Sequence, residues 1–138
     1  MHQSVGTLTI QTRRKGLVDI TASVREWLAS QGIGDGLLTL FCRHTSASLV
    51  IQENAAPAVR RDMEAYFDRL APESGAYEHD DEGPDDMPAH LKAALTGVQL
   101  SIPVADGEPM LGTWQGIYLF EHRIAPHRRS VALHVIGA

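Results

Sequence analysis

The sequence predicts an α+β domain built mostly from antiparallel strands, and three observations predict it. Strand-like stretches bounded by glycine, proline and Asn/Asp outnumber helical repeats. They crowd the C-terminal third of the chain. Three other segments carry apolar residues at three- to four-residue spacing, so about three helices must pack on or beside the sheets. The chain has 138 residues and no internal repeat, which fits one domain over residues 1–138.

Each element has a local reason. Val5 to Thr12 alternates, with Leu8 and Ile10 on one side and Thr7 and Thr9 on the other, as a half-buried strand does. Lys15-Gly16 turns the chain. Asp19 to Gln31 reads as a helix with Ile20, Val24, Trp27 and Leu28 on one face, stopped by Gly32. After the turn Gly34-Asp35-Gly36, Leu37 to Arg43 is an apolar strand and Leu49 to Gln52 is another. Pro57 suits the first turn of a helix whose inner face is Val59, Met63, Phe67 and Leu70, with Arg60, Arg61, Glu64 and Asp68 outside, and Pro72 ends it.

Glu73 to Met87 is a long polar loop, and a loop of that length in a small domain is functional or disordered. Pro88 to Leu95 forms a short helix closed by Gly97. Strands follow at Val98–Val104, at Met110-Leu111 beyond an Asp106-Gly107 hairpin turn, at Ile117–Arg123 and at Ser130–Ile136.

Composition narrows the function. The net charge is −5, which disfavours broad nucleic-acid binding. No apolar run is long enough for a membrane helix, and the N-terminus lacks the pattern of a secretory signal. A single cysteine, Cys42, fits a reducing compartment, so the expectation is a soluble, cytoplasmic protein; Cys42 itself reads as a buried strand residue. There is no Gly-x-Ser-x-Gly elbow, no phosphate-binding Walker loop and no Gly-x-Gly-x-x-Gly turn.

Four groups of residues can carry chemistry. His44-Thr45-Ser46-Ala47-Ser48 lies between two strands; its imidazole and hydroxyls suit a phosphate or carboxylate, or simply satisfy a turn. His79 in the acidic loop and His90 near a helix start are ten residues apart; with nearby carboxylates they can hold a divalent ion, or they are surface histidines. Gly112-Thr113-Trp114-Gln115-Gly116 offers close backbone approach, a stacking indole and a reading amide, or a strand bulge. Glu53 and Asp62 offer carboxylates for base or supporting roles, with helix capping and surface charge as the simpler accounts. His122 and His134 read as residues of the last strands that can pair with each other.

Taken together, three segments resemble the YjbQ-like family: His44-Thr45-Ser46-Ala47-Ser48-Leu49-Val50-Ile51-Gln52-Glu53-Asn54, Asp86-Met87-Pro88-Ala89-His90-Leu91-Lys92, and Gly112-Thr113-Trp114-Gln115-Gly116-Ile117-Tyr118. Order and spacing agree over nearly the whole chain. The resemblance implies sheets packed as a sandwich or barrel, a homotrimer, and a His-rich polar site near a subunit boundary. It also implies a secondary thiamine-phosphate synthase, joining an aminopyrimidine diphosphate to a thiazole phosphate with release of pyrophosphate. On that basis His44, Glu53, Asp62 and His90 are expected to act in catalysis. Thr45, Ser46, Ser48, Gly112, Thr113, Trp114 and Gln115 are expected to bind a small phosphorylated molecule, and His44, His79 and His90 to hold Zn²⁺ or Mg²⁺. Metal-dependent hydrolysis and non-catalytic phosphometabolite binding use the same residues and stay open.

Overall fold

A computed structural model describes residues 1–138. The order is β1 (His2–Gln11), β2 (Gly16–Asp19), α1 (Thr21–Ala29), β3 (Gly36–Cys42), β4 (Ala47–Glu53), α2 (Pro57–Leu70), α3 (Asp86–Thr96), β5 (Gln99–Ala105), β6 (Glu108–Pro109), β7 (Gln115–Glu121) and β8 (Arg128–Gly137). The strands form a five-stranded sheet, β1-β8-β3-β5-β6, and a three-stranded sheet, β2-β7-β4. Every pairing is antiparallel. The expected α+β domain with three helices is therefore the observed one.

The core lies between the sheets. Leu38, Leu40, Val131, Leu133 and Val135 from the larger sheet meet Leu49, Ile117 and Leu119 from the smaller, and α1 adds Val24 and Leu28. β8 alternates along its length as a half-buried strand must, whereas β7 is buried at every position from Gly116 to Glu121. The Asp106-Gly107 turn has positive φ at both residues, 52° and 78°, the geometry a two-residue hairpin requires.

Several element limits differ from the expectation. Asp19 does not open α1. It ends β2, a strand too short to show alternation, and its Oδ1 accepts the Thr21 N–H. The return strand after Gly107 is Glu108–Pro109, not Met110-Leu111. α3 begins at Asp86, because Pro88 then falls in the first turn, where its missing N–H costs nothing. α2 buries no residue completely, and Leu70 is exposed rather than inward. His122 lies beyond β7, and His134 pairs with Val5 and Thr39, so the two histidines are not partners. No helix is long and apolar enough to cross a membrane.

The connections position the site. Residues 43–46 carry the chain from the larger sheet to the smaller, and residues 122–127 carry it back. The two crossings touch: the His122 N–H donates to Ser46 O and the Arg43 N–H to Ser130 O, both at 3.2 Å. The α3–β5 link runs beside them, with Gly97 O accepting from Leu49 N–H and Val98 O from Cys42 N–H.

Candidate metal and anion site

α3 supplies the centre of the site. Asp86 and His90 lie four residues apart, one turn on the same helix face. The acidic loop folds back so that His79 joins them. His79 Nε2 is 2.9 Å and His90 Nε2 3.2 Å from Asp86 Oδ2. The imidazole centroids are 5.8 Å apart. Glu82 Oε2 lies 3.1 Å from His79 Nε2, and Asp81 Oδ1 3.5 Å from His79 Nδ1.

Arg123 pins the central carboxylate. Its Nη1 donates to Asp86 Oδ1 at 2.8 Å, its Nε to Asp85 Oδ2 at 3.0 Å and its Nη2 to the Glu82 carbonyl at 3.0 Å. Burial pushes the Asp86 carboxyl up, but His79, His90 and Arg123 outweigh it and hold it below the usual range. The bond to Asp86, with Asp81 and Glu82 adding, raises the His79 imidazole above its ordinary value despite some desolvation.

His90 is oriented from behind. Its Nδ1 is 3.0 Å from the Thr45 carbonyl oxygen, which only accepts, so the ring hydrogen sits on Nδ1. In the neutral ring, Nε2 is then a lone pair aimed at a carboxylate oxygen. That arrangement needs a cation between them, either a proton or a metal ion.

Beside this triad opens a cleft of about 960 Å³. Its walls include Arg43, His44, Thr45, Ser46, His90 and Arg129. Behind the wall, Arg129 makes a two-bond pair with Glu121, at 2.7 Å from Nε and 2.5 Å from Nη2, joining β8 to β7 across the sheets. Glu121 also accepts from Thr12 Oγ1 at 2.8 Å and Arg123 N–H at 3.0 Å.

The structure gathers only some of the expected residues. His79 and His90 meet; His44 does not join them, since its Nε2 accepts the Ser130 N–H at 2.8 Å. Thr45 and Ser46 line the cleft with His44. Ser48 faces away from it, buried and bonded to His122 Nε2 at 2.8 Å and to Thr96 Oγ1 at 2.5 Å. Glu53 Oε2 accepts the N–H groups of Ala55 and Ala56 at 3.0 and 2.9 Å, ordering the entry to α2. Asp62 is exposed on α2.

The Gly112–Gln115 loop closes on itself, Gly112 N–H donating to Gln115 Oε1 at 2.8 Å, and Asn54 Nδ2 braces the Thr113 and Gln115 carbonyls. Thr113 and Trp114 are exposed, Trp114 at 64%. Gln115 pairs with Glu53 at one end of β4 and Glu121 with Ala47 at the other. Six residue steps at about 3.3 Å place this loop roughly 20 Å from the Ser46 end within one chain.

Asp86, Arg123, Arg129 and Glu121 were not among the expected site residues. Asp86 carried a readable signal, its helical spacing from His90 beside a loop histidine. The two arginines carried none, because their partners are set by the sheet crossing.

Residues 6–138 match the family described as UPF0047 protein YjbQ-like. The chain is 47% identical over 137 residues to UPF0047 protein sll1880 of Synechocystis sp., covering 99% of this chain and 92% of that one. It is 48% identical over 132 residues to UPF0047 protein YjbQ of Escherichia coli O157:H7, covering 95% and 96%. Among crystal structures, it is similar to a YjbQ/UPF0047 family protein of Clostridium acetobutylicum, with a TM-score of 0.87, 36% identity and coverage of 94% and 98%. A protein of unknown function from Sulfolobus solfataricus gives a TM-score of 0.89 at 26% identity, covering 99% and 100%.

Proposed function

The chain belongs to the YjbQ-like family of UPF0047 proteins, and from that premise we propose a metal-assisted transferase of the thiamine-phosphate synthase type. It would join an aminopyrimidine diphosphate to a thiazole phosphate, with His79, Asp86 and His90 holding a divalent ion. The observation that carries this reading is the His90 ring: Nδ1–H is committed to a carbonyl and Nε2 faces Asp86.

The donor set fits such an ion. Two imidazoles and a carboxylate, with a position left for substrate, make a catalytic zinc-type set. The 2.9 and 3.2 Å separations are near the roughly 3.3 Å edge of a tetrahedron with bonds of about 2.05 Å. Imidazole donors favour Zn²⁺ or a similar transition ion over Mg²⁺, which prefers oxygen. When bound, the ion would neutralise charge on the departing pyrophosphate.

The chain's own groups supply the rest. Arg123 keeps Asp86 from rotating away, and the Thr45 carbonyl fixes the plane of His90. Thr45 and Ser46 present hydroxyls to phosphate oxygens on the same side of α3. The exposed Trp114 of one copy would stack on a substrate ring in the site of a neighbour, because the two regions lie far apart in one chain. The homotrimer that the family resemblance implies would supply that neighbour and is part of the proposal.

The test is metal content, Zn²⁺ calorimetry and thiamine-phosphate formation, on wild type and His90→Ala made in cells with no other thiamine-phosphate synthase. The expected outcome is a metal affinity lower by about 10- to 100-fold or more in the variant, with product lost. Full activity and full metal binding in His90→Ala would overturn the reading. Bound metal without product would keep the site and discard the reaction, and phosphate-ester hydrolysis would be assayed next.

A further inference from the structure

We propose that Arg129 anchors an oxyanion subsite in the cleft beside α3, built to take the phosphoryl group of a small molecule. This deepens the reading above; the two share His90, but the subsite stands on donors that hold no metal.

The polar side chains of this cleft wall offer hydrogens, and none of them is a carboxylate. Arg129 is only 4% exposed, and its Nε and Nη2 are occupied by Glu121 and Ser46. Its Nη1 amino group has no acceptor in the chain, and it is not sealed, since the one sealed and unpartnered side-chain polar atom is His122 Nδ1. Nη1 therefore opens on the cleft that Arg129 lines.

Its neighbours point the same way chemically. Ser46 Oγ accepts from Arg129, which leaves its own hydrogen to donate outward. Thr45 Oγ1 is uncommitted and exposed. His44 Nε2 accepts from Ser130, so its hydrogen is on Nδ1, where the chain provides no acceptor. Burial, with the Arg129 charge adding, lowers the His44 imidazole, so it donates as a neutral ring.

Four backbone oxygens of the wall are already used. Thr45 O receives His90, Ser46 O receives Arg129 and the His122 N–H, Gly97 O receives Leu49 and Val98 O receives Cys42. No carboxylate lines the cleft, although the chain carries a net charge of −5, and Arg43 adds a second cation at its edge. A wall of donors with two guanidinium groups selects a group rich in acceptors. A phosphoryl group, with three terminal oxygens, uses more of these donors than a carboxylate does.

The held geometry matters as much as the charge. Glu121 fixes Arg129 by two parallel bonds and is itself held by Thr12 and Arg123, so Nη1 is positioned before any ligand arrives.

The test is titration of inorganic phosphate into chelator-treated protein labelled with ¹⁵N in arginine and histidine side chains, with acetate as a parallel arm. Working without metal separates the outcome from the metal reading, which zinc calorimetry decides independently. Saturable shifts at Arg129 Nη1 and His44 Nδ1 are expected, with acetate binding more weakly. Arg129→Lys keeps a cation opposite Glu121 but removes Nη1, and its phosphate affinity should fall by about tenfold or more. Thr45→Val, on an exposed hydroxyl, should cost about three- to tenfold and decides the matter should Arg129→Lys not fold. Absence of saturable shifts in wild type, or unchanged phosphate affinity in a folded Arg129→Lys, would overturn the subsite. Acetate binding as tightly as phosphate would overturn the phosphoryl assignment.

Discussion

At His122 the fold places an imidazole where water does not reach. Its ring is 2% exposed, packs on Phe120 and bonds Ser48 through Nε2. Burial, with the Lys92 charge adding, pushes it down to about 3, although Glu121 and Asp68 act the other way. Since the unfolded side chain titrates near 6.5, the unfolded chain binds a proton between about pH 6.5 and 3 that the folded chain refuses. This contribution to stability is whole above pH 6.5 and declines as pH falls, by about 2 kcal/mol at pH 5. Urea unfolding at pH 7 and pH 5 checks it, and His122→Asn should flatten the difference. Cys42 is the opposite kind of buried group: burial raises its thiol to about 11, which keeps it protonated and unreactive, as its strand position implied. At this scale the sequence was informative where chemistry is local. His90 and the hydroxyls at the corner were picked out as candidates, and Asp86, one helical turn before His90, carried a spacing that was there to read but was not among the expected site residues. Arg129 could not be read, because Glu121 faces it only after two sheets have met, and Ser48 could not be told from Ser46 until their partners were in place, His122 and Thr96 for the first and Arg129 for the second.

Among the elements, α2 shows how a carboxylate expected in catalysis can be spent on structure. Glu53 holds the two N–H groups that lead into the helix. Glu53→Ala should therefore lower stability by about 1 kcal/mol, while Glu53→Gln retains most of it; thermal unfolding of both variants separates capping from chemistry, since a catalytic carboxylate would lose activity in both. The β3–β8 pairing sets a stricter demand. A Cβ on Gly36 would run into the Ile136 carbonyl oxygen, and one on Gly137 into that of Asp35. Gly36→Ala should cost about 1–3 kcal/mol, measured by urea unfolding. The helices and longer strands were legible because periodicity accumulates over many residues. β2 was not, since Leu17-Val18 between Gly16 and Asp19 gives no alternation to read, and only β7 beside it makes it a strand. The outward face of α2 was misread for a related reason: Asp68 bonds both Lys15 and Lys92, Glu64 accepts the Leu17 N–H, and those partnerships exist only in three dimensions.

For the whole molecule, the proposed trimer predicts a mass in solution three times that of one chain, and light scattering at micromolar concentration checks it; a monomer would also remove the route by which Trp114 reaches an active cleft. The α+β class could be read from the chain, but the assignment of strands to sheets could not. β3 and β4 are consecutive and apolar, yet they lie in different sheets, and the corner between them is what creates the cleft. The strand order has a further effect on how the molecule comes into being. β8 is the last strand in the chain and lies second in its sheet, pairing with β1 on one side and β3 on the other. During synthesis β3 can join β5, and β4 can join β7, while β1 waits for a partner translated more than a hundred residues later. Loop closure over such a distance makes the final step slow, and until it happens the first strand is an unpaired edge that a chaperone, or another nascent copy, can capture.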